Sequence, residues 1–379
     1  MSEKILILLI YQALFVALFV SCEKGGTSVD DPELSTVPIE FSLADFSAEV
    51  KGNALTSSTI ADFGVFSLLE NTTLGETTPF MENVEVSKST SGNSTAWRSD
   101  PPYYWPLLPD KRLTFFAYAP YNGAENSSSI YYDGNDRQWK MDVKHNVPEN
   151  PVQQVDLSVA RNLEPKTIND AGEPVDLRFS HTLSSVTFAA NYKGTPAENC
   201  VLRVTGISLS NIVTSGTLTV DSTQEEGIPW FSWAIDESEK GMITMTTFND
   251  ALTKRYNVPE RNSNNDNHLT LLASDINAYM IPQSVNSDIE GDVSGKSILS
   301  LTFSYFLLDS ESAGGLKEIA QFSTQMLLPE SEWGIASKIK YVFTIDLDNV
   351  WLADLKVLAD GNIDVWEDSE NSHQETIIK

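Results

Sequence analysis

PPYYWPLLPDKRLTFFAYAPYN, residues 101–122, is the stretch on which the fold turns. Pro101, Pro102 and Pro106 surround Tyr103, Tyr104 and Trp105. Proline fixes φ and restricts the residue before it, so these residues form a stiff, extended aromatic approach. Pro109-Asp110 then turns the chain. Residues 113–119 follow as a strand, with Leu113, Phe115, Ala117 and Ala119 on one face and Phe116 and Tyr118 on the other. Pro120 stops it. A strand apolar on both faces belongs inside a domain, with something packed on each side.

The rest of the chain can supply that packing. It has 379 residues, long enough for two ordinary domains, and is 41% apolar and 21% charged, the balance of a globular protein. A formal charge of −28 repels phosphate backbones, so nucleic acid is not an expected partner.

The first 22 residues read as a targeting segment. Lys4 gives a basic start, and residues 5–20 form an almost unbroken apolar run, short for a membrane span, that closes on Ser21-Cys22. A small residue followed by cysteine at such a point resembles the lipobox of bacterial lipoproteins, although Phe19 stands where that pattern usually has leucine. The resemblance implies cleavage between Ser21 and Cys22 and a diacylated, N-acylated Cys22. Residues 23–36, EKGGTSVDDPELST, read as a polar tether. With Cys22 lipidated, the only other cysteine, Cys200, has no intramolecular partner and is expected as a small buried hydrophobe.

From Val37 onward the pattern is β: apolar alternation over five to ten residues, broken by Gly, Asn, Asp, Ser and Pro, with no helical period. Residues 37–50 and 60–69 are predicted strands, and residues 87–94 a polar loop. Residues 130–141 read as a hairpin turning at Asp133-Gly134. Its Asp-Gly-Asn-Asp is not a calcium loop, because Arg137 breaks the alternating oxygen ligands and no downstream glutamate completes it. Residues 161–174 carry two prolines and a glycine and read as a linker. Beyond it, Val175, Leu177, Phe179 and His181 alternate with polar residues. The apolar parity then changes to Val186, Phe188 and Ala190, as a β-bulge near Ser184-Ser185 would require. Residues 299–305 and 339–347 alternate as strands with one buried and one wet face. The Asp360-Gly361-Asn362 turn is expected to fold residues 363–366 back onto the sheet, leaving residues 369–379 free.

Several of these elements carry a family resemblance. Tyr104-Trp105-Pro106 followed by Leu113-Thr-Phe-Phe-Ala-Tyr-Ala-Pro120 resembles the signature of the fimbrillin (Mfa-like) family, surface lipoproteins and type V pilus subunits of Gram-negative anaerobes. Leu177-Arg-Phe-Ser-His181-Thr-Leu183 resembles the strand opening that family's second domain. Tyr279-Met-Ile-Pro282-Gln283, Trp333-Gly334 and Lys338-Ile-Lys-Tyr341 resemble its later elements, in order. The resemblance implies an all-β protein with two tandem β-sandwich domains of transthyretin-like or Greek-key type. These would span residues 37–161 and 175–379, joined by a linker at 162–174, after a signal peptide (1–21) and tether (22–36). It also implies strand donation: a protease removes the first strand, and a segment of a neighbouring pilus subunit fills the groove. The family's processing arginine is missing, since none lies between Cys22 and Arg98. Lys51-Gly52 occupies roughly that place, which makes Lys51 the candidate maturation site.

Enzymatic signatures are absent from the sequence: no Gly-x-Ser-x-Gly elbow, no His-Glu-x-x-His pair, no phosphate-binding glycine loop. The histidines, His145, His181, His268 and His373, are far apart, and His181 is expected as a hydrogen-bonded core residue. No catalytic residue, metal or cofactor is expected. A glycosidase carboxylate pair is defined by spatial separation and cannot be read from sequence. Beside a hydrolase, for which nothing in the sequence argues, two readings remain. One is a structural and adhesive pilus subunit, anchor or tip, partnered by other subunits and by the outer membrane through its lipid. The other is a non-polymerising surface lipoprotein that binds glycan or host protein through Tyr103, Tyr104, Trp230 and Trp233. Either way, Cys22→Ala is expected to abolish membrane association and leave the fold intact, because the tether is polar and the lipid alone holds the chain. Fractionation after a high-salt wash checks this, and an Ala variant that stays with the outer membrane contradicts it.

Overall fold

A computed structural model describes residues 33–44, 55–91, 94–196, 198–222, 229–238, 240–245, 257–261, 277–286, 295–308 and 315–347, and the backbone of 269–270, 351–360 and 374–377. Its centre is the strand Lys111–Ala119, which pairs antiparallel with Asp62–Asn71 on one side and Ser158–Lys166 on the other. Leu113 and every residue from Phe115 to Ala119 are fully enclosed. The two faces separate as the alternation requires. Leu113, Phe115, Ala117 and Ala119 join an apolar cluster with Phe41, Phe63, Trp97 and Trp105. Phe116 and Tyr118 join a second cluster that reaches Val143, Val159 and Leu183 and continues to Leu347.

The first cluster lies within an eight-stranded sheet. Its order is Val175–Leu177, Phe41–Leu43, Ser94–Arg98, Glu76–Ser91, Asp62–Asn71, Lys111–Ala119, Ser158–Lys166 and Ser180–His181. The sheet curls until its ends meet, where the Asn162 side-chain amide donates to the Asp176 carbonyl (3.0 Å). Twist alone bends a sheet this wide, and the aromatic filling suits the curvature. Phe41 meets Phe63 and Phe115 edge-on at 5.9 and 5.6 Å. Tyr118 demands Gly64 opposite it, since a Cβ there would lie 2.4 Å from the ring. The Tyr118 hydroxyl reaches Asn83 Oδ1 (2.6 Å) and the Asn122 carbonyl (2.8 Å), which satisfies the polar end of a buried ring.

The second cluster is bounded by two sheets of the later chain. One contains Leu269–Thr270, Ser184–Lys193, Lys338–Asp346, Trp351–Asp360 and Gln374–Ile377 in that order, with Ala278–Met280 also on Ser184–Lys193. The other runs Lys240–Met245, Cys200–Val213, Ile298–Leu308, Leu316–Leu327. Phe188, Tyr341 and Phe343 from the first meet Leu209, Ile243 and Phe303 from the second in one core. Motif residues fasten it. Gln283 exchanges two hydrogen bonds with the Val213 backbone (2.9 and 3.0 Å), and the Trp333 indole donates to the Tyr341 hydroxyl (2.9 Å). A further four-stranded sheet joins early and late chain: Phe231–Ile235, Ser215–Asp221, Gln138–Asn146, Ser128–Asp133. The only helical elements among the described residues are single 3-10 turns at Pro151–Gln153 and Ile168–Asp170.

The all-β expectation holds, and several local ones are corrected. The polar stretch 87–94 is not a loop. Its residues up to Ser91 continue the strand Glu76–Ser91, paired with Ser94–Arg98, and Lys88 lies over the Trp97 ring at 5.1 Å. A polar hairpin arm lacks the apolar alternation by which strands are recognised. Residues 161–166 are not linker either, because the strand Ser158–Lys166 runs through them. After the capped turn at Ile168–Asp170 the chain returns to the same sheet, where Val175–Leu177 pairs parallel with Phe41–Leu43. The parity change before Val186 marks a crossing between sheets rather than a bulge: Phe179 belongs to the first cluster and Leu183 to the second. The strand Lys338–Asp346 has no wet face at its end, since Thr344 bonds Asn191 (2.6 Å) and Asp346 pairs with Lys193 (3.3 Å). The tether yields to a strand, Leu34–Pro38, already at residue 34. The tail 369–379 is not all free, because Gln374–Ile377 pairs with residues 356–359; residues 363–366 lie outside the described residues. The hairpin turning at Asp133 is present, and Lys140 bridges Asp133 (2.7 Å) and Asp136, an internal ammonium where a bound cation was discounted.

Two expectations follow. Ser215–Asp221 takes one of its two neighbours, Gln138–Asn146, from the early chain, so residues 175–379 expressed alone should be strongly destabilised, and the intact chain should melt in one transition. Two separated calorimetric transitions would contradict this. His145, on that shared strand, meets Trp233 edge-on at 6.2 Å. The residue keeps some exposed surface, but its ring is enclosed, and this burial, partly opposed by the charge of Asp156, pushes its pKa from 6.5 down to about 4. A histidine depressed in the folded state contributes stability that is present above about pH 6.5 and lost as pH falls toward 4. A loss of roughly 2 kcal/mol across that window is expected, diminished in His145→Gln, as read by denaturant midpoints at each pH.

Candidate functional site

With no enzymatic constellation in the sequence, the place to look is the edge where the first segment joins the sheet. Residues 33–44 run as two short strands, Leu34–Pro38 and Phe41–Leu43. The first pairs with Tyr104–Pro106 in the proline-aromatic approach, and the Ile39 N–H donates to the Tyr103 carbonyl (2.8 Å). The second lies between Val175–Leu177, parallel, and Ser94–Arg98, where Phe41 stands opposite Trp97. Val175 N–H donates to the Glu40 carbonyl (2.8 Å), and Ala44 N–H to the Leu177 carbonyl (3.0 Å). Ser42 Oγ reaches Asp176 Oδ1 at 3.1 Å.

Two side chains anchor this segment. Ile39 is 1% exposed and Phe41 2%. Withdrawing residues 33–44 would uncover the aromatic and aliphatic walls around them, Phe63, Trp97, Trp105, Phe115, Val175 and Leu177. At ~2–3 kcal/mol for each large apolar side chain, the seat is worth roughly 5 kcal/mol. That is a substantial share of a domain's stability, yet it is held in a unit with only short ladders.

The far end of the connecting segment is pinned separately. Leu55 N–H donates to Asp156 Oδ2 (3.0 Å), and the Thr56–Thr59 turn leads to the buried Ile60. Asp156 is itself buried, with Oδ2 2.6 Å from His181 Nδ1. His181 is 3% exposed and also lies 3.4 Å from Ser158 Oγ. The core, hydrogen-bonded role expected for His181 is therefore observed. Its partner Asp156 carries no recognisable local pattern in the sequence; the parity of His181, polar on a core face, points only to some hydrogen-bond partner. Ala44 and Leu55, the described residues on either side of positions 45–54, are thus each held by a backbone N–H hydrogen bond of their own. Lys51 lies in that interval and, like Ser21 and Cys22, outside the described residues.

The other sequence candidates are dispersed. Cys200 is half-buried at the start of its strand, not enclosed as expected. No group of three or more His, Cys, Asp or Glu side chains is placed to hold a metal ion among the described residues. The aromatics considered as a binding platform are engaged elsewhere. Tyr103 packs edge-on against Phe80 (5.8 Å). Trp230 packs against Phe231 (4.6 Å), with the Arg161 guanidinium 4.8 Å from its ring, and the Trp233 indole donates to the Thr182 carbonyl (2.9 Å). No helix among the described residues is long and apolar enough to cross a membrane.

This architecture has relatives. The chain is 25% identical over 351 residues to fimbrium subunit Fim1C of Phocaeicola vulgatus, covering 86% of this chain and 87% of that protein. A fimbrial protein of Bacteroides vulgatus has a similar fold, with a TM-score of 0.52 at 17% identity over 86% of this chain and 99% of that one. A fimbrial assembly protein of Parabacteroides distasonis aligns at a TM-score of 0.36 and 12% identity, over 90% and 99% of the two chains. The fimbrillin-like family model matches residues 50–312, well over half of the sequence. The chain therefore belongs to the fimbrillin-like family, a structural and adhesive class rather than an enzymatic one.

Proposed function

We propose that this protein is a cell-surface fimbrial subunit that assembles by exchanging its first segment for a strand of a neighbour. The observation that carries this reading is the seating of residues 33–44: two buried side chains, short ladders, and a connecting segment fixed at Ala44 and Leu55. Cleavage between those points, with Lys51 as the candidate, would release residues 33–44 together with the Cys22 anchor. The slot beside Val175–Leu177 would then stand open, and unpaired strand edges over exposed apolar surface favour a replacement strand. Gln374–Ile377, the outermost strand of its sheet, is the candidate donor, because an edge strand gives up one ladder only when it leaves. Family kinship with a fimbrium subunit supports the pilus reading. The glycan-binding alternative has less support, since three of its four aromatics, Tyr103, Trp230 and Trp233, are engaged within the fold.

The test is the N-terminal residue of the protein recovered from cells, wild type against Lys51→Gln. A free terminus near residues 52–56 in wild-type fibres, replaced in the variant by lipidated Cys22 and loss of fibres, is expected. Lipidated Cys22 throughout in both proteins would mean that the segment stays and that the chain is an anchor or a non-polymerising surface protein.

A further inference from the structure

Four leucines from three separate segments crowd one corner of the first sheet. Leu34 begins the first strand, Leu74 sits at the tip of the turn between Asp62–Asn71 and Glu76–Ser91, and Leu107 and Leu108 lie on the turn before Lys111–Ala119. They are 47%, 65%, 42% and 48% exposed, about two whole leucines' worth of surface offered to solvent. Hydrogen bonds hold these segments together. Leu107 N–H donates to the Glu33 carbonyl (2.7 Å), Thr72 N–H to the Asp110 carbonyl (3.0 Å), and Thr73 Oγ1 to Asp110 Oδ2 (2.9 Å). Turn tips normally carry small polar residues, so a leucine at the tip of each of two adjoining turns departs from ordinary turn chemistry. Grouped exposed leucines mark a contact surface where scattered ones do not.

We infer that this corner is a membrane-docking surface, which seats the lipid-anchored chain against the leaflet that holds its anchor. The inference rests on the Cys22 anchor and concerns the chain before, or without, release of its first segment. The occupant follows from the length of chain between Cys22 and the first described strand. Glu33, bonded to Leu107, is the first described residue, and residues 23–32 separate it from Cys22. Eleven residue steps at full extension span at most about 37 Å, so the corner is tethered close to the bilayer and meets it at high effective concentration. Charge does not compete with this. Arg112 stands across from Glu70, and Asp110 is bonded to Thr73, so the rim is mixed rather than basic. Apolar insertion into the headgroup–acyl boundary carries the contact, as in other interfacial anchors, and anionic lipid is not required. The anchor supplies attachment; the leucines set orientation, holding this end down and the later sheets away from the surface.

The experiment uses the full-length lipidated chain carrying Lys51→Gln and Cys200→Ser, with lipidation of Cys22 verified by mass. A nitroxide is attached at Leu74→Cys or, as a distant control, at Leu308→Cys, and the protein is reconstituted in phosphatidylcholine vesicles. Collision rates with oxygen and with a water-soluble nickel chelate report depth. On reconstitution the label at position 74 is expected to gain severalfold in oxygen over nickel accessibility, unchanged by high salt, while the label at 308 stays aqueous. Adding Leu107→Ser and Leu108→Ser should return position 74 to water with no loss of flotation and no change in melting. A chain that floats with position 74 still aqueous overturns the docking surface and leaves the anchor standing. A chain without lipid at Cys22 that does not float overturns both. Immobilisation of the label by rising protein concentration in the absence of vesicles makes the corner a contact between copies, and also overturns the proposal.

Discussion

The strand Lys111–Ala119 is buried on both faces, and the rest of the molecule is arranged around that fact. Phe115 and Phe116 are consecutive residues that point into different cores. Removing either ring would cost ~3–5 kcal/mol, comparable with the whole net stability of an ordinary domain. A strand of this kind cannot lie at a surface. The curled eight-stranded sheet closes over one face, and the hairpin Ser128–Asp133 with Gln138–Asn146, together with the later sheets, covers the other. The enclosure continues to the ends of side chains, since Tyr118 finds partners for its hydroxyl only because Gly64 lets the ring pass.

Much of this was legible in the sequence because it is periodic. The faces of residues 113–119, the turn at Asp133 and the alternation through Leu299, Leu301 and Phe303 all follow from a period of two. Pairing partners are another matter. Nothing in the composition of residues 161–166 distinguishes a strand from a linker, because what makes them a strand is Lys111–Ala119 alongside, about fifty residues earlier. The return of Val175–Leu177 to the first sheet has the same character. A three-residue strand carries no period, and its neighbour lies at the other end of the domain. The shift of parity near residue 184 was real in the sequence, yet a crossing between sheets and a bulge leave the same local mark.

The candidate site shows the same division. The lipobox-like Ser21-Cys22 and the place of Lys51 can be found along the chain, but they say nothing about how the first segment is held. Ile39 and Phe41 looked like any strand residues; their weight comes from Phe63, Trp97 and Phe115 around them. Asp156 had no signal of its own. It matters because it receives both the Leu55 amide and His181, residues 126 positions apart in the chain, and a meeting of that kind exists only after folding.

The parallel pairing of Phe41–Leu43 with Val175–Leu177 also has a kinetic meaning. Ser42 and Asp176, which meet there, are 134 residues apart in sequence. Contacts of such separation incur their loop-closure entropy before they return any stabilisation, and parallel strands form slowly for that reason. The slot is therefore complete only when strands far apart in sequence, Ser94–Arg98 and Val175–Leu177, stand on either side of Phe41–Leu43. Until then its seat is an open template for any extended strand of suitable apolar spacing. The chain's own segment has the advantage of covalent attachment, which keeps it at high local concentration beside the slot.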